Sequence, residues 1–181
     1  KKKEENSKAF MEILKKRRSI RKYTNEAVSK EKLEKILQAG LISPSGRNRK
    51  PWEFIVVEDR EVLEILSKSR EHGAEMLANA AAVIVVFANP ELTDVWTEDC
   101  CIAMSNMHVM AAALGVGSCW IQGRLRMTED GRTTESFIQE VLGVPENYKL
   151  EAMLSLGMPG EFKEGHGLED LPMEKVHWAK F

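Results

Sequence analysis

Between Arg17 and Tyr23, six of seven side chains carry a positive charge or a hydroxyl: Arg17, Arg18, Ser19, Arg21, Lys22 and Tyr23. Cations this close together attract an anion, and guanidinium groups bind phosphate or carboxylate oxygens through paired, charge-assisted hydrogen bonds. A structural use exists for part of this charge, because cations at the end of a helix complement its negative pole by about 1 kcal/mol or less. That use covers Arg17 and Arg18 and leaves the rest of the cluster unexplained. A second polar stretch, Ser43 to Pro51, combines two prolines with Gly46 and reads as a loop able to turn backbone N–H groups toward a ligand. A third, Trp120-Ile121-Gln122-Gly123, closes an apolar run.

Several familiar chemistries are excluded. The chain has neither G-x-x-x-x-G-K-[ST] nor G-x-G-x-x-G, so the common phosphate-loop and dinucleotide fingerprints fail. It has no C-x-x-C pair, and His72, His108, His166 and His177 lack metal-ligand spacing, so no metal site is expected. Cys100 and Cys101 lie in an apolar stretch and read as small core fillers rather than reactive thiols. His108, in the same stretch, reads as an interior or interface histidine rather than a base. No G-x-S-x-G supports a serine nucleophile, and no catalytic side chain is named.

The cations must therefore act locally. A net charge of −2 over 181 residues gives no overall positive field for nucleic acid or an anionic membrane. With 43% hydrophobic and 30% charged residues, the chain suits one globular domain spanning 1–181. Three clustered cysteines make no disulfide framework, which points to a reducing, cytoplasmic setting. The longest apolar run, Ala80 to Ala88, is too short to cross a membrane, and no targeting segment is read.

The periodicity then supplies the elements that position these stretches. Helices are expected over Ser7–Lys16, Lys30–Ala39, Glu61–Ser69, Thr97–Leu114 and Glu135–Leu142. The second has Ser29 as its N-cap, a Val28–Leu33 staple and Gly40 as its stop. Strands are expected over Glu53–Val57, Ala82–Phe87, Ser118–Ile121 and Leu150–Leu156. The helix from Thr97 is apolar on nearly every side, which in a chain this small suggests a subunit interface.

R-R-S-I-R-K-Y, S-P-S-G-R-N-R-K-P-W-E-F, D-C-C-I-A-M-S-N-M-H-V-M-A-A-A-L-G-V-G-S-C-W-I-Q-G and L-G-V-P-E-N-Y with L-S-L-G-M-P-G, in that order from Arg17 to Gly160, resemble the nitroreductase family of FMN-dependent oxidoreductases. The resemblance implies an α+β fold with a central mixed sheet flanked by helices. It also implies a homodimer with a long interface helix and two FMN sites between subunits. By the same resemblance, Arg17, Arg18, Ser19 and Arg21 match the segment that binds the FMN phosphate and ribityl chain and approaches the pyrimidine edge. Pro44, Ser45, Gly46 and Asn48 match the loop that reaches the flavin from the other subunit. Trp120, Ile121, Gln122 and Gly123 match the segment beside the ring near N5. Read alone, Pro44–Asn48 is equally a helix-to-strand turn, and Trp120 and Ile121 are equally core strand residues.

The implied activity is hydride transfer from NADH or NADPH through the flavin to a nitroaromatic, quinone or similar small acceptor, by a ping-pong mechanism. The alternatives are a flavin-binding or sensing module with little turnover, and a flavin-dependent dehalogenase or dehydrogenase on the same scaffold. The sequence departs from the family in two places. Glu169, Asp170 and Leu171 stand before Pro172 where many members carry tail cations, and Glu75 to Ala78 lacks a lysine that some members place there. Lys163 is the nearest cation ahead of Glu169. The Arg17 cluster is therefore expected to bear more of the phosphate binding.

Overall fold

The structure is a computed structural model that describes residues 1–181. Its centre is the strand Ala82–Ala88, every residue of which is buried. Residues 82, 84, 86 and 88 face one hydrophobic core and residues 83, 85 and 87 face another. A strand covered on both faces needs no polar alternation, which is why this run is continuously apolar. In chain order the strands are β1 (Trp52–Val57), β2 (Ala82–Ala88), β3 (Gly117–Gln122) and β4 (Lys149–Gly157), arranged β1-β2-β4-β3. The helices are α1 (Lys2–Lys16), α2 (Lys30–Leu41), α3 (Arg60–Leu66), α4 (Trp96–Ala113) and α5 (Thr134–Leu142). Residues of α2 and α4 pack on one face of the sheet, and those of α3 and α5 on the other.

The sheet expected to be mixed is antiparallel at all three strand pairings. The β1–β2 and β3–β4 connections each leave and re-enter the sheet at one end, with α3 or α5 folded against its face, so no crossover turns a neighbour parallel. The parallel component is a single bridge between Ser19 and Ser118.

Most expected boundaries lie within a few residues of those observed. Ser29 Oγ accepts the Lys32 N–H at 3.3 Å, and Val28 and Leu33 are both buried beside it. Gly40 is a correction: it lies inside α2 rather than stopping it. A Cβ there would sit 2.8 Å from Met107 Sδ and 2.9 Å from a Phe54 ring carbon, so the glycine serves the close crossing of α2 on α4. The first helix begins at Lys2 instead of Ser7, its early turns carried by Lys and Glu, good helix formers that bury nothing.

Within one chain, α4 buries Asp99, Cys100, Ala103, Met104, Met107, His108 and Ala111. Its other side leaves Ile102, Ser105, Asn106 and Ala113 exposed. Phe10, Met11 and Leu14 of α1 are also exposed, as are Phe162 and Trp178 in the tail. No helix is long and apolar enough to cross a membrane.

Candidate functional site

The Arg17–Tyr23 segment is threaded between the edge of β3 and the chain beyond β4. On one side Ser19 bridges Ser118, and the Ile20 N–H donates to the Ser118 carbonyl at 2.9 Å. On the other, Thr24 N–H donates to Met158 O, Gly160 N–H to Lys22 O and His166 N–H to Lys15 O, each within 2.9 Å. Tyr23 anchors the segment's end: its hydroxyl donates to Ile20 O at 2.6 Å and lies 2.7 Å from Ser155 Oγ. Burial pushes that phenol up. A segment rich in like charges is thus held extended by backbone bonds, with Arg21 and Lys22 exposed.

Lys16, Arg17, Arg18 and Lys163 line one cleft of about 390 Å³. Its carboxylate, Glu161, accepts the Arg21 N–H at 2.7 Å and the Lys22 N–H at 3.3 Å through a single oxygen. Those bonds, with Lys163 nearby, hold Glu161 below the usual carboxylate range, so it stays ionised. Four cations against one carboxylate is a donor set that fits a phosphate, and Gly117 lines the same cleft. Lys163 Nζ donates to Ser19 O at 2.6 Å, and Arg18 donates to the Glu164 carbonyl. The tail therefore does bring a cation to this cleft, several residues earlier than the family's usual place. Of the expected residues, Arg17 and Arg18 line the cleft, whereas Ser19 contributes backbone bonds and Arg21 is exposed beside it.

Arg17 has a partner that the sequence reading did not assign. Its Nη1–H donates to His108 Nε2 at 3.0 Å, and His108 Nδ1 meets Ser118 Oγ at 2.5 Å. His108 is 8% exposed. Burial first, and the Arg17 charge second, push its pKa down to about 4.

The Ser43–Lys50 loop is anchored along α4, with Gly46 held near the helix start at Asp99 and Ser43 held at Asn106. Gly46 N–H donates to Asp99 Oδ1 at 2.9 Å, Lys50 N–H donates to Ser45 Oγ at 2.9 Å, and Asn106 Nδ2 donates to Ser43 Oγ at 2.8 Å. Pro44 is exposed between these anchors. A Cβ on Gly46 would lie 2.9 Å from Val95 Cγ2, so the close approach this glycine permits is to the start of α4. Arg47, Asn48 and Lys50 all have positive φ, at 51°, 54° and 47°. Asn tolerates that region, but the other two add strain of the kind that persists where neighbouring bonds over-determine a loop. From Asp99 to His108 is about 13 Å along the helix axis, and within one chain the loop shares no lining residue with the Arg17 cleft.

β3 runs from the cleft at Gly117 toward Gln122. Trp120 Nε1–H donates to Gln122 Oε1 at 3.0 Å, and Gln122 Nε2–H donates to Arg124 O at 3.1 Å, so the strand's end is braced by its own side chains. Ile121 is buried in the core under α3 and α5. A Cβ on Gly123 would meet Leu150 Cδ2 at 2.5 Å. Behind it, a register shift between Val86 and Phe87 leaves Glu151 opposite no residue of β2. Its carbonyl accepts the Gly123 and Arg124 N–H groups, and its buried carboxyl is pushed up, chiefly by burial. The Cys100 thiol is likewise pushed well up by burial, in keeping with a core filler.

His108 is interior, as the sequence implied, but nothing in its apolar surroundings pointed to Arg17, and Asp99 was hidden among the polar residues Thr97 and Glu98 that open α4. The available signal was their shared helix: two polar residues at positions α4 turns inward. Lys163 carried no signal beyond its charge.

The sequence model of the nitroreductase family matches residues 14–72 and 61–158. A candidate NADH dehydrogenase/NAD(P)H nitroreductase of Archaeoglobus fulgidus is 39% identical over 170 residues, covering 91% of this chain and 94% of its own length. Among solved structures, an FMN-dependent nitroreductase from Clostridium difficile R20291 superposes with a TM-score of 0.92 at 46% identity, over 94% of this chain and 99% of that one. A candidate nitroreductase from Desulfovibrio desulfuricans, solved in complex with FMN, superposes with a TM-score of 0.75 at 27% identity, over 95% and 97%.

Proposed function

Because the chain belongs to the nitroreductase family, we propose that it is an FMN-dependent oxidoreductase. It acts as a homodimer that oxidises NADH or NADPH and reduces a nitroaromatic, quinone or similar small acceptor. The observation that carries this reading is the four-cation cleft at the start of β3. Bound there, FMN would supply a store for two electrons between NADH or NADPH and an acceptor that enters the same slot.

The chain's own residues supply place and charge. Arg17, Arg18 and Lys163 hold the phosphate, and Ser19 orders the segment through its backbone bonds. Arg21 brings a fixed cation toward the N1/O2 edge, where negative charge develops on reduction. β3 covers about 20 Å, comparable with an extended flavin mononucleotide, and leads from the phosphate end to Trp120–Gly123 beside the ring. Pro44, Ser45, Gly46 and Asn48 reach the site from the second copy, which fits their distance from Arg17 within one chain. The exposed apolar residues Phe10, Met11 and Leu14 of α1 and Ile102 of α4 support the dimer. The free thiols of Cys100, Cys101 and Cys119 fit a cytoplasmic setting.

The test is spectroscopic. The purified protein, or apoprotein reconstituted with FMN, is expected to be yellow and to bleach under anaerobic NADH or NADPH, with colour returning on addition of a nitroaromatic or quinone. Colourless protein that takes up no FMN would sink the proposal. Colour without bleaching would favour a binding or sensing module.

A further inference from the structure

We propose that His108 is a positioning residue for Arg17, fixing its guanidinium in the cationic cleft while leaving its charge available to an anion. The inference rests on the reading of that cleft as the FMN phosphate site. Arg17 offers only donors, so His108 Nε2, 3.0 Å from Nη1, must present a lone pair. In the neutral ring the proton then belongs to Nδ1, where Ser118 Oγ lies 2.5 Å away to accept it. Ser118 is fixed in turn, since its backbone carries the Ser19 bridge and accepts the Ile20 N–H. The relay joins α4, β3 and the Arg17 segment and specifies one tautomer throughout.

The choice of a neutral partner has a chemical consequence. An aspartate or glutamate at this position would orient Arg17 but cancel its charge. Imidazole orients it and leaves the full cation, and Arg17 helps to keep the ring neutral. Arg17 is the charged group bearing on His108, and its other partner, Ser118, is uncharged. A histidine serving the core alone would need Ser118 but would gain nothing from an arginine at its other nitrogen.

Two amides of like polarity separate these roles. His108→Gln places an amide oxygen where Nε2 lies and can still accept from Arg17, whereas His108→Asn can reach Ser118 but falls short of the guanidinium. Full-length apoprotein is titrated with FMN and with riboflavin, which lacks the phosphate. The Asn variant is expected to bind FMN about tenfold or more weakly, from the loss of a hydrogen bond to a charged group. The Gln variant should stay within a few-fold of wild type, and riboflavin affinity should be unchanged in both. In an Arg17→Ala background, His108→Asn should cost no further FMN affinity. Equal FMN affinities for Asn and Gln, a matching loss for riboflavin, or an undiminished cost in the Arg17→Ala background would each overturn the assignment. Wild-type protein that binds no FMN sinks the functional reading and this inference with it; wild-type binding with equal Asn and Gln affinities sinks the inference alone.

Discussion

The two ends of α4 each support one candidate segment, and they do so with opposite chemistry. At the C-terminal end, neutral His108 holds a cationic side chain, Arg17, and leaves its charge exposed to the cleft. Near the N-terminal end, acidic Asp99 holds a backbone N–H, that of Gly46, and shapes a loop in which Pro44, Arg47 and Asn48 stay exposed. One end presents charge and the other presents geometry. A phosphate needs the first, because ionic hydrogen bonds are strong and tolerant of small shifts. A flat ring edge needs the second, because neutral donors and acceptors bind only when well aligned.

The largest expected effect tests whether the two ends serve different sites. In a homodimer whose Asn48 reaches the other subunit's flavin, Arg17→Ala and Asn48→Ala subunits complement each other. Each homodimer should bind FMN poorly at both sites, and each mixed dimer should regain one intact site. Random pairing of equal amounts makes half of the dimers mixed, so the mixture should bind about a quarter of the wild-type stoichiometry. Flavin titration of refolded mixtures measures this. Mixing that restores nothing beyond either parent would place both segments in the same subunit's site.

The next effect is one of pH and belongs to the His108 end alone. The folded protein holds this ring neutral, with a pKa depressed to about 4, while the unfolded chain takes up its proton near 6.5. The stability this contributes is present above pH 6.5 and is lost as pH falls toward 4. The gap corresponds to roughly 3 kcal/mol at most. Urea unfolding at pH 7 and at pH 4.5 should therefore show a larger loss for wild type than for His108→Gln, with carboxylate titrations common to both. Parallel losses would mean that the ring is not held neutral.

Much of the scaffold was legible because burial leaves a periodic signature. β2 reads as apolar because both its faces are covered, and α2 announces itself through Ser29, Val28 and Leu33. Strand direction was not legible, since an antiparallel pair with a helix in its connection shows the same alternation of elements as a parallel one. Gly40 misled because a glycine that permits a close helix crossing looks, in one dimension, like a glycine that ends a helix. In the site, the cation cluster and the polar loop stood out by composition. Their supports, His108 and Asp99, did not, because a partner 91 or 53 residues away leaves no local pattern. The tail cation Lys163 was visible as a charge, but its place beside Ser19 depends on how the chain beyond β4 folds back along the Arg17–Tyr23 segment.

The smallest effect probes the geometric end. Gly46→Ala places a methyl 2.9 Å from Val95 Cγ2, too close to stand without movement. Val95 is part-exposed and can yield, so the cost should fall near the low end of overpacking penalties, about 1 kcal/mol. The loop can also yield, but moving it withdraws the Gly46 N–H from Asp99. Asp99 already has Oδ2 buried without a partner and is itself 3% exposed, so that route leaves a second buried oxygen unsatisfied. The side-chain route should therefore win, and adding Val95→Ala should restore most of the loss. Thermal melts can resolve this, since about 1 kcal/mol shifts the midpoint by about 3 °C in a domain of this size. A loss that Val95→Ala does not rescue would mean that the loop moves instead, and FMN affinity should then fall along with the midpoint. An unchanged midpoint would mean that the loop is not seated on α4, which would remove the contrast between the two ends of the helix.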